Sequence, residues 1–167
     1  NMAEKLWVIP ASRMKAGKEH AVPLTSRCLE ILQNMPRSDD SPYVFAALRG
    51  GKLSDATVGK LVKTLHRNEV ELGHAGFVDH RQELRVVVPH GFRSTFRDWA
   101  AERSSYPREV IEHCLAHQLR DRAEAAYQRG SILPKRIELM EQYDRYCRNA
   151  VESGDACNVT AIGRKLT

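Results

Sequence analysis

A chain of 167 residues with 42% hydrophobic content is enough for one compact domain around a single core. Its longest apolar runs, at 6–10 and 86–89, are far too short to cross a bilayer and no leader peptide precedes them, so a soluble, intracellular protein is expected. Lys and Arg, 26 in all, exceed the 21 Asp and Glu by a net charge of +5, which admits a polyanionic partner without identifying one.

The four cysteines have neither CxxC spacing nor the density of a stapled secreted domain, which argues against a disulfide framework or a zinc knuckle. In chain order, Leu6-Trp7-Val8-Ile9, a turn at Lys15-Ala16-Gly17-Lys18 and His20-Ala21-Val22-Pro23-Leu24 read as a β-hairpin whose second strand Pro23 closes. Two strands with so little before them are marginal alone, so the chain is expected to begin inside a larger fold. Thr25 is an N-cap for a helix with Cys28, Leu29, Ile31 and Leu32 on one face, ended by Pro36. Tyr43-Val44-Phe45 suggests a brief strand. Ser54 and Asp55 cap a helix with Val58, Leu61, Val62 and Leu65 at helical spacing, and the pattern dissolves after His66. Residues 69–88 read as a long loop with Val86-Val87-Val88 as its ordered part.

Residues 90–101 carry Phe92, Phe96, Trp99 and Ala100 on one helical face, with His90, Arg93 and Arg97 on others. Pro107 opens a further helix at its first position, with Val110, Ile111, Cys114 and Leu115 buried. A short Ala-rich segment at 122–128 ends at Gly130. A last helix at 133–153 has the stripe Ile137, Met140, Tyr143, Tyr146 and Cys147, followed by a flexible tail at 154–167.

His90 and Arg93, three residues apart at a helix start, place an imidazole and a guanidinium where both can address one anion. That pairing is common by chance. It gains weight from the downstream residues Leu115-Ala116-His117 and then Ala126-Tyr127, the tyrosine ten residues beyond His117. His113 and His117 also have the i, i+4 spacing of a helical metal pair, but neither a HExxH glutamate nor a third ligand accompanies them.

The series resembles the tyrosine recombinase (phage-type integrase) family, whose second half runs HxxR, then a Gly/Ser/Ala-His pair, then the nucleophilic Tyr. The likeness extends through His90-Gly91-Phe92-Arg93-Ser94-Thr95-Phe96-Arg97-Asp98-Trp99, Ile111-Glu112-His113-Cys114-Leu115-Ala116-His117 and Ala125-Ala126-Tyr127-Gln128-Arg129, and resumes at Arg136-Ile137-Glu138-Leu139-Met140. Near the start, Trp7-Val8-Ile9-Pro10-Ala11 and His20-Ala21-Val22-Pro23-Leu24 are similar to the hairpin that carries the family's lysine.

The resemblance implies a mainly α fold with a small antiparallel β-hairpin or sheet (α+β), here as a partial catalytic domain over 1–153. It implies Tyr127 as nucleophile, Arg93 and His117 as donors to the phosphate oxygens, His90 as base or orienting partner of the phenol, and Lys15, with Lys18 as the alternative, as general acid. No metal or cofactor takes part. The product would be a 3′-phosphotyrosyl link, which conserves bond energy for rejoining. Arg97, Arg120, Arg122 and Arg129 read as solvated or backbone-contacting residues. The family's first active-site arginine lies on a helix before the hairpin and has no counterpart in this sequence, so these residues alone are expected to be impaired. Partners implied are double-stranded attachment-site DNA, three further copies in a homotetramer and an accessory directionality factor, in the bacterial cytoplasm at the nucleoid, with no membrane. A non-catalytic DNA-binding or assembly module on the same fold is the second reading.

Overall fold

The computed structural model describes residues 1–37, 41–47, 50–80, 82–117 and 132–152, the last three by backbone alone. The chain divides into two units: Asn1–Met35 with Thr95–Cys147, and Pro36–Ser94 with Arg148–Thr167. Among the described residues helices predominate, accompanied by two small antiparallel sheets, as expected of a mainly α fold.

The first unit opens with the expected hairpin. Strand β1, Leu6–Ile9, pairs with β2, His20–Pro23, in the register Leu6 with Pro23 and Ile9 with His20. Pro23 is the last paired residue of β2, at a position that needs no N–H, and just beyond it the Leu24 amide still donates to the Lys5 carbonyl at 2.8 Å. Between the strands lies a 3-10 turn, Ala11–Arg13, and Gly17 takes a left-handed φ of 62°. Thr25 caps α1, Ser26–Asn34: its hydroxyl oxygen accepts from the Cys28 amide at 3.3 Å. The Ser26 amide donates to Glu141 Oε1 at 3.1 Å, so a far side chain helps satisfy the same helix start.

The core of this unit comprises Phe96, Trp99, Ala100, Val110, Ile111, Leu115 and Leu139. It is supplied by α3, Gly91–Arg103, α4, Arg108–Cys114, and α5, Leu133–Glu152. Tyr143 meets Phe96 edge to face with centroids 5.1 Å apart and lies 4.9 Å from Trp99. Expectations fail along α3, α4 and α5, the last of which exposes Tyr146 and Cys147 of the expected stripe. Phe92 is 60% exposed, because it projects from the first turn of α3, off the buried face. Ile137 is also exposed, and the stripe of α5 runs through Leu139, which is fully buried. Pro107 is the cap preceding α4, one residue before the helix.

In the second unit, α2 runs Thr57–Glu71, past the point where apolar periodicity fades. Its cap position is Ala56, without a side-chain bond; Ser54 instead accepts from the Thr57 amide and hydroxyl through its carbonyl and Oγ, so the expected Ser54/Asp55 cap is replaced by a turn. Residues 43–45 form no strand; a single bridge joins Ala46 to Lys52. The expected long loop is partly ordered: β3, Val78–Asp79, pairs with β4, Arg85–Val86. His66 accepts the Phe77 amide on Nδ1 at 3.0 Å, anchoring this hairpin to α2, and a Cβ at Gly76 would fall 2.5 Å from that nitrogen. No helix among the described residues is long and apolar enough to cross a membrane.

Candidate active site

The candidate residues are distributed over both units. Lys15 and Lys18 are exposed in the connection of the first hairpin. The loop-proximal end of β2 is held by Arg136 of α5, whose Nη2 donates to the Ala21 carbonyl at 2.5 Å and lies 3.4 Å from His20 Nε2. Arg136 is buried, and its charge, after burial itself, holds the neighbouring His113 imidazole below the usual histidine range. A guanidinium beside His113 also argues physically against a cation between His113 and His117. Among the described residues no cluster of three or more His, Cys, Asp or Glu could hold a metal ion.

His90 and Arg93 belong to the second unit. A turn precedes α3: the Gly91 amide donates to Val88 O at 2.9 Å and the Arg93 amide to His90 O at 3.1 Å. His90 therefore flanks the helix start, Arg93 lies in its first turn, and both are exposed. The helix dipole adds partial positive charge at this end, which suits an anion.

His117 is placed by the way α4 ends. Ala116 adopts a left-handed φ of 55°, its amide donates to His113 O at 3.2 Å, and the His117 amide donates to Glu112 O at 3.0 Å. This pair of backbone bonds satisfies carbonyls that the helix end leaves open and folds the chain back over the last turn. The small residue before the histidine thus has a structural reason, since a left-handed backbone disfavours any large or branched side chain. The reversal brings the His117 ring onto the Glu112 side chain, with Nδ1 to Oε2 at 2.5 Å.

Glu112 is the residue that sequence reasoning missed. Its side chain is 8% exposed and its other oxygen, Oε1, accepts from Arg97 Nε at 2.8 Å, with Arg108 Nε at 3.8 Å. Burial pushes the carboxyl upward, but the hydrogen bonds from His117 and Arg97 outweigh it and hold the group below the usual carboxylate range. Arg97, expected to be simply solvated or on a phosphate, is tied to this carboxylate. The available signal was a Glu between Val110-Ile111 and Leu115, a charge on an otherwise apolar stripe. Tyr127, with the segment 122–128, Arg120, Arg129 and the tail, lies outside the described residues.

The profile of the phage integrase family matches residues 1–130. The chain is 31% identical over 138 residues to the prophage integrase IntA of Escherichia coli (strain K12), covering 81% of this chain and 29% of that protein. It is 28% identical over 146 residues to the prophage integrase IntZ of the same strain, covering 86% of this chain and 32% of that protein. It therefore spans about a third of the length of these curated relatives. No solved structure gives a significant match. On the extent of the profile match, the chain belongs to the phage integrase family of tyrosine recombinases, within the catalytic domain.

Proposed function

We propose that this chain forms part of an enzyme that integrates or excises DNA by site-specific breaking and rejoining, with Tyr127 as the nucleophile. The observation that carries the reading is the ordered series His90, Arg93, His117 and Tyr127 in a member of this family. The Tyr127 phenol oxygen attacks the scissile phosphorus, the phosphorus bond to the 5′-oxygen breaks, and a 3′-phosphotyrosyl link remains. His90 takes or orients the phenol proton, and Lys15, or Lys18 beside it, protonates the leaving 5′-oxygen. Arg93 and His117 meet the charge that accumulates on the non-bridging oxygens. Rejoining is the reverse: a DNA 5′-hydroxyl attacks the same phosphorus and the phenol leaves.

On this reading the family's first active-site arginine lies outside these 167 residues, and within them one guanidinium meets a charge suited to two. The residues alone are accordingly expected to cleave poorly. On DNA the parent protein would act as a tetramer on paired attachment sites, with an accessory factor setting direction, at the bacterial nucleoid.

The test uses nicked attachment-site DNA, whose short cleaved end diffuses away and traps the covalent product. A longer form of the protein carrying the first arginine is expected to give a covalent complex that Tyr127→Phe abolishes, and the 167 residues a much weaker one. Tight DNA binding by the longer form without any covalent complex would overturn the catalytic reading in favour of a DNA-binding or assembly module.

A further inference from the structure

We propose that Glu112 is a positioning residue for DNA cleavage, fixing the His117 ring with its Nδ1–H on the carboxylate and its Nε2 directed to the phosphate. The inference rests on the functional reading above and adds a residue that it does not contain.

The two oxygens of Glu112 are divided between partners. Oε1 receives Arg97 Nε at 2.8 Å and Oε2 meets His117 Nδ1 at 2.5 Å. An ionised carboxylate only accepts, so the proton in the second contact belongs to Nδ1. The ring is then oriented about its Cβ–Cγ bond by one nitrogen, and phosphate chemistry falls to the other. The His117 side chain is 43% exposed, so DNA can reach it. When a phosphate oxygen arrives at Nε2, the ring stands between two acceptors, and a proton on Nε2 donates to the phosphate while Nδ1–H stays on the carboxylate.

A carboxylate so near a scissile phosphate would by itself repel it. Arg97 removes that objection: its guanidinium offsets the carboxylate charge, and Arg108, one turn earlier on α4 itself, approaches the same oxygen at 3.8 Å. The guanidinium also sets the chemistry of a Gln replacement. Arg97 can only donate, so it keeps the Gln carbonyl oxygen on its own side and turns the Gln NH2 toward His117. That NH2 would donate to Nδ1 and move the ring proton to Nε2.

The test joins ring nitrogen NMR on the 167-residue chain with suicide cleavage in the longer form. At mildly alkaline pH the wild-type His117 should carry its proton on Nδ1, and Glu112→Gln should move it to Nε2. In the longer form Glu112→Gln should slow cleavage at saturating DNA by about tenfold to a hundredfold, the scale on which lost orienting partners act, with DNA affinity unchanged. In a His117→Ala background the same substitution should add nothing, which a merely structural role would not predict. Glu69→Gln, on an acid and histidine pair of the same local form, should leave cleavage as it was.

A wild-type ring protonated on Nε2 overturns the proposal, and decides alone if the Gln variant does not fold. Unchanged cleavage in Glu112→Gln, or an equal loss in the His117→Ala background, overturns it as well. A wild-type longer form that forms no covalent complex overturns the functional reading instead, while the ring spectra still decide the pairing of Glu112 with His117.

Discussion

The ends of α2 and α4 are built alike. In Glu69-Val70-Glu71-Leu72-Gly73-His74 and in Glu112-His113-Cys114-Leu115-Ala116-His117, a left-handed residue follows a Leu and a histidine closes back on the glutamate five residues earlier. The backbone bonds match: His74 donates to Glu69 O and Gly73 to Val70 O, as His117 does to Glu112 O and Ala116 to His113 O. The side chains match too, with His74 Nδ1 2.7 Å from Glu69 Oε2. The acid and histidine pair is therefore a product of how a helix is capped, and by itself indicates no chemistry. What separates the two is the long-range partner. Glu112 sits beside Arg97 and against the core residues Ile111 and Leu115, whereas α2 has Val62 as its buried residue and leaves Val58, Leu61, Val70 and Leu72 exposed.

The largest way to break the likeness is through the core under α4. Leu139→Ala removes a fully buried side chain from the cluster that includes Ile111 and Leu115, and should cost about 3 kcal/mol in urea unfolding. The His117 ring should lose its fixed orientation by NMR, while His74 keeps its own. Next, Glu112→Ala strips Arg97 and His117 of their shared acceptor at a buried position and should cost about 1–3 kcal/mol, at the lower end because both partners can turn to water. The equivalent Glu69→Ala, losing an exposed partner, should cost about 0.5 kcal/mol or less. Equal losses would erase the distinction between the two helix ends.

Acid sharpens it in the same direction. His113 resists protonation in the folded chain, so as pH falls through the ordinary histidine range the unfolded chain takes up a proton that the folded one refuses, and stability declines. Glu112 has a lowered carboxyl, so its contribution is present above the unfolded carboxylate value and is lost as pH falls through the folded one. Urea midpoints followed at the α4 end should drop in these two steps, and His113→Gln should remove the upper step. The smallest effect lies in the left-handed positions. Ala116→Gly should stabilise by about 0.5–1 kcal/mol by relieving φ, and Gly73→Ala should destabilise by about 1 kcal/mol, since a Cβ there meets nothing and φ alone opposes it.

Local chemistry was legible in the sequence and long-range chemistry was not. Thr25 as a cap, Pro23 as the end of β2 and the Phe96, Trp99, Ala100 face follow from rules that act within a few residues. Apolar periodicity marks α2 but gives no hint that Val58 and Leu61 stay exposed, nor that the helix continues to Glu71 through charged residues. Helical drift over α5 makes Ile137 and Leu139 equally eligible for the core, and packing selects Leu139. Among the candidate residues, Lys15, His90, Arg93, His117 and Tyr127 are read from order and spacing in a family pattern. Glu112 is not, because its meaning depends on Arg97 fifteen residues earlier, and no spacing rule links the two.

Arg136 has a consequence for how the first unit opens. The buried guanidinium holds the Ala21 carbonyl of β2 and has an Nε without a partner among the described residues. Releasing β2 from α5 would leave a second polar group of that side chain unsatisfied, so strand and helix are discouraged from separating one at a time. Amide protons in β2 and along α5 near Arg136 should then exchange with deuterium in one shared event, and Arg136→Met should split that event in two. The exposed Lys15 loop, beyond this tie, would exchange on its own clock: the strand stem is anchored where the C-terminal helix packs, and its tip is not.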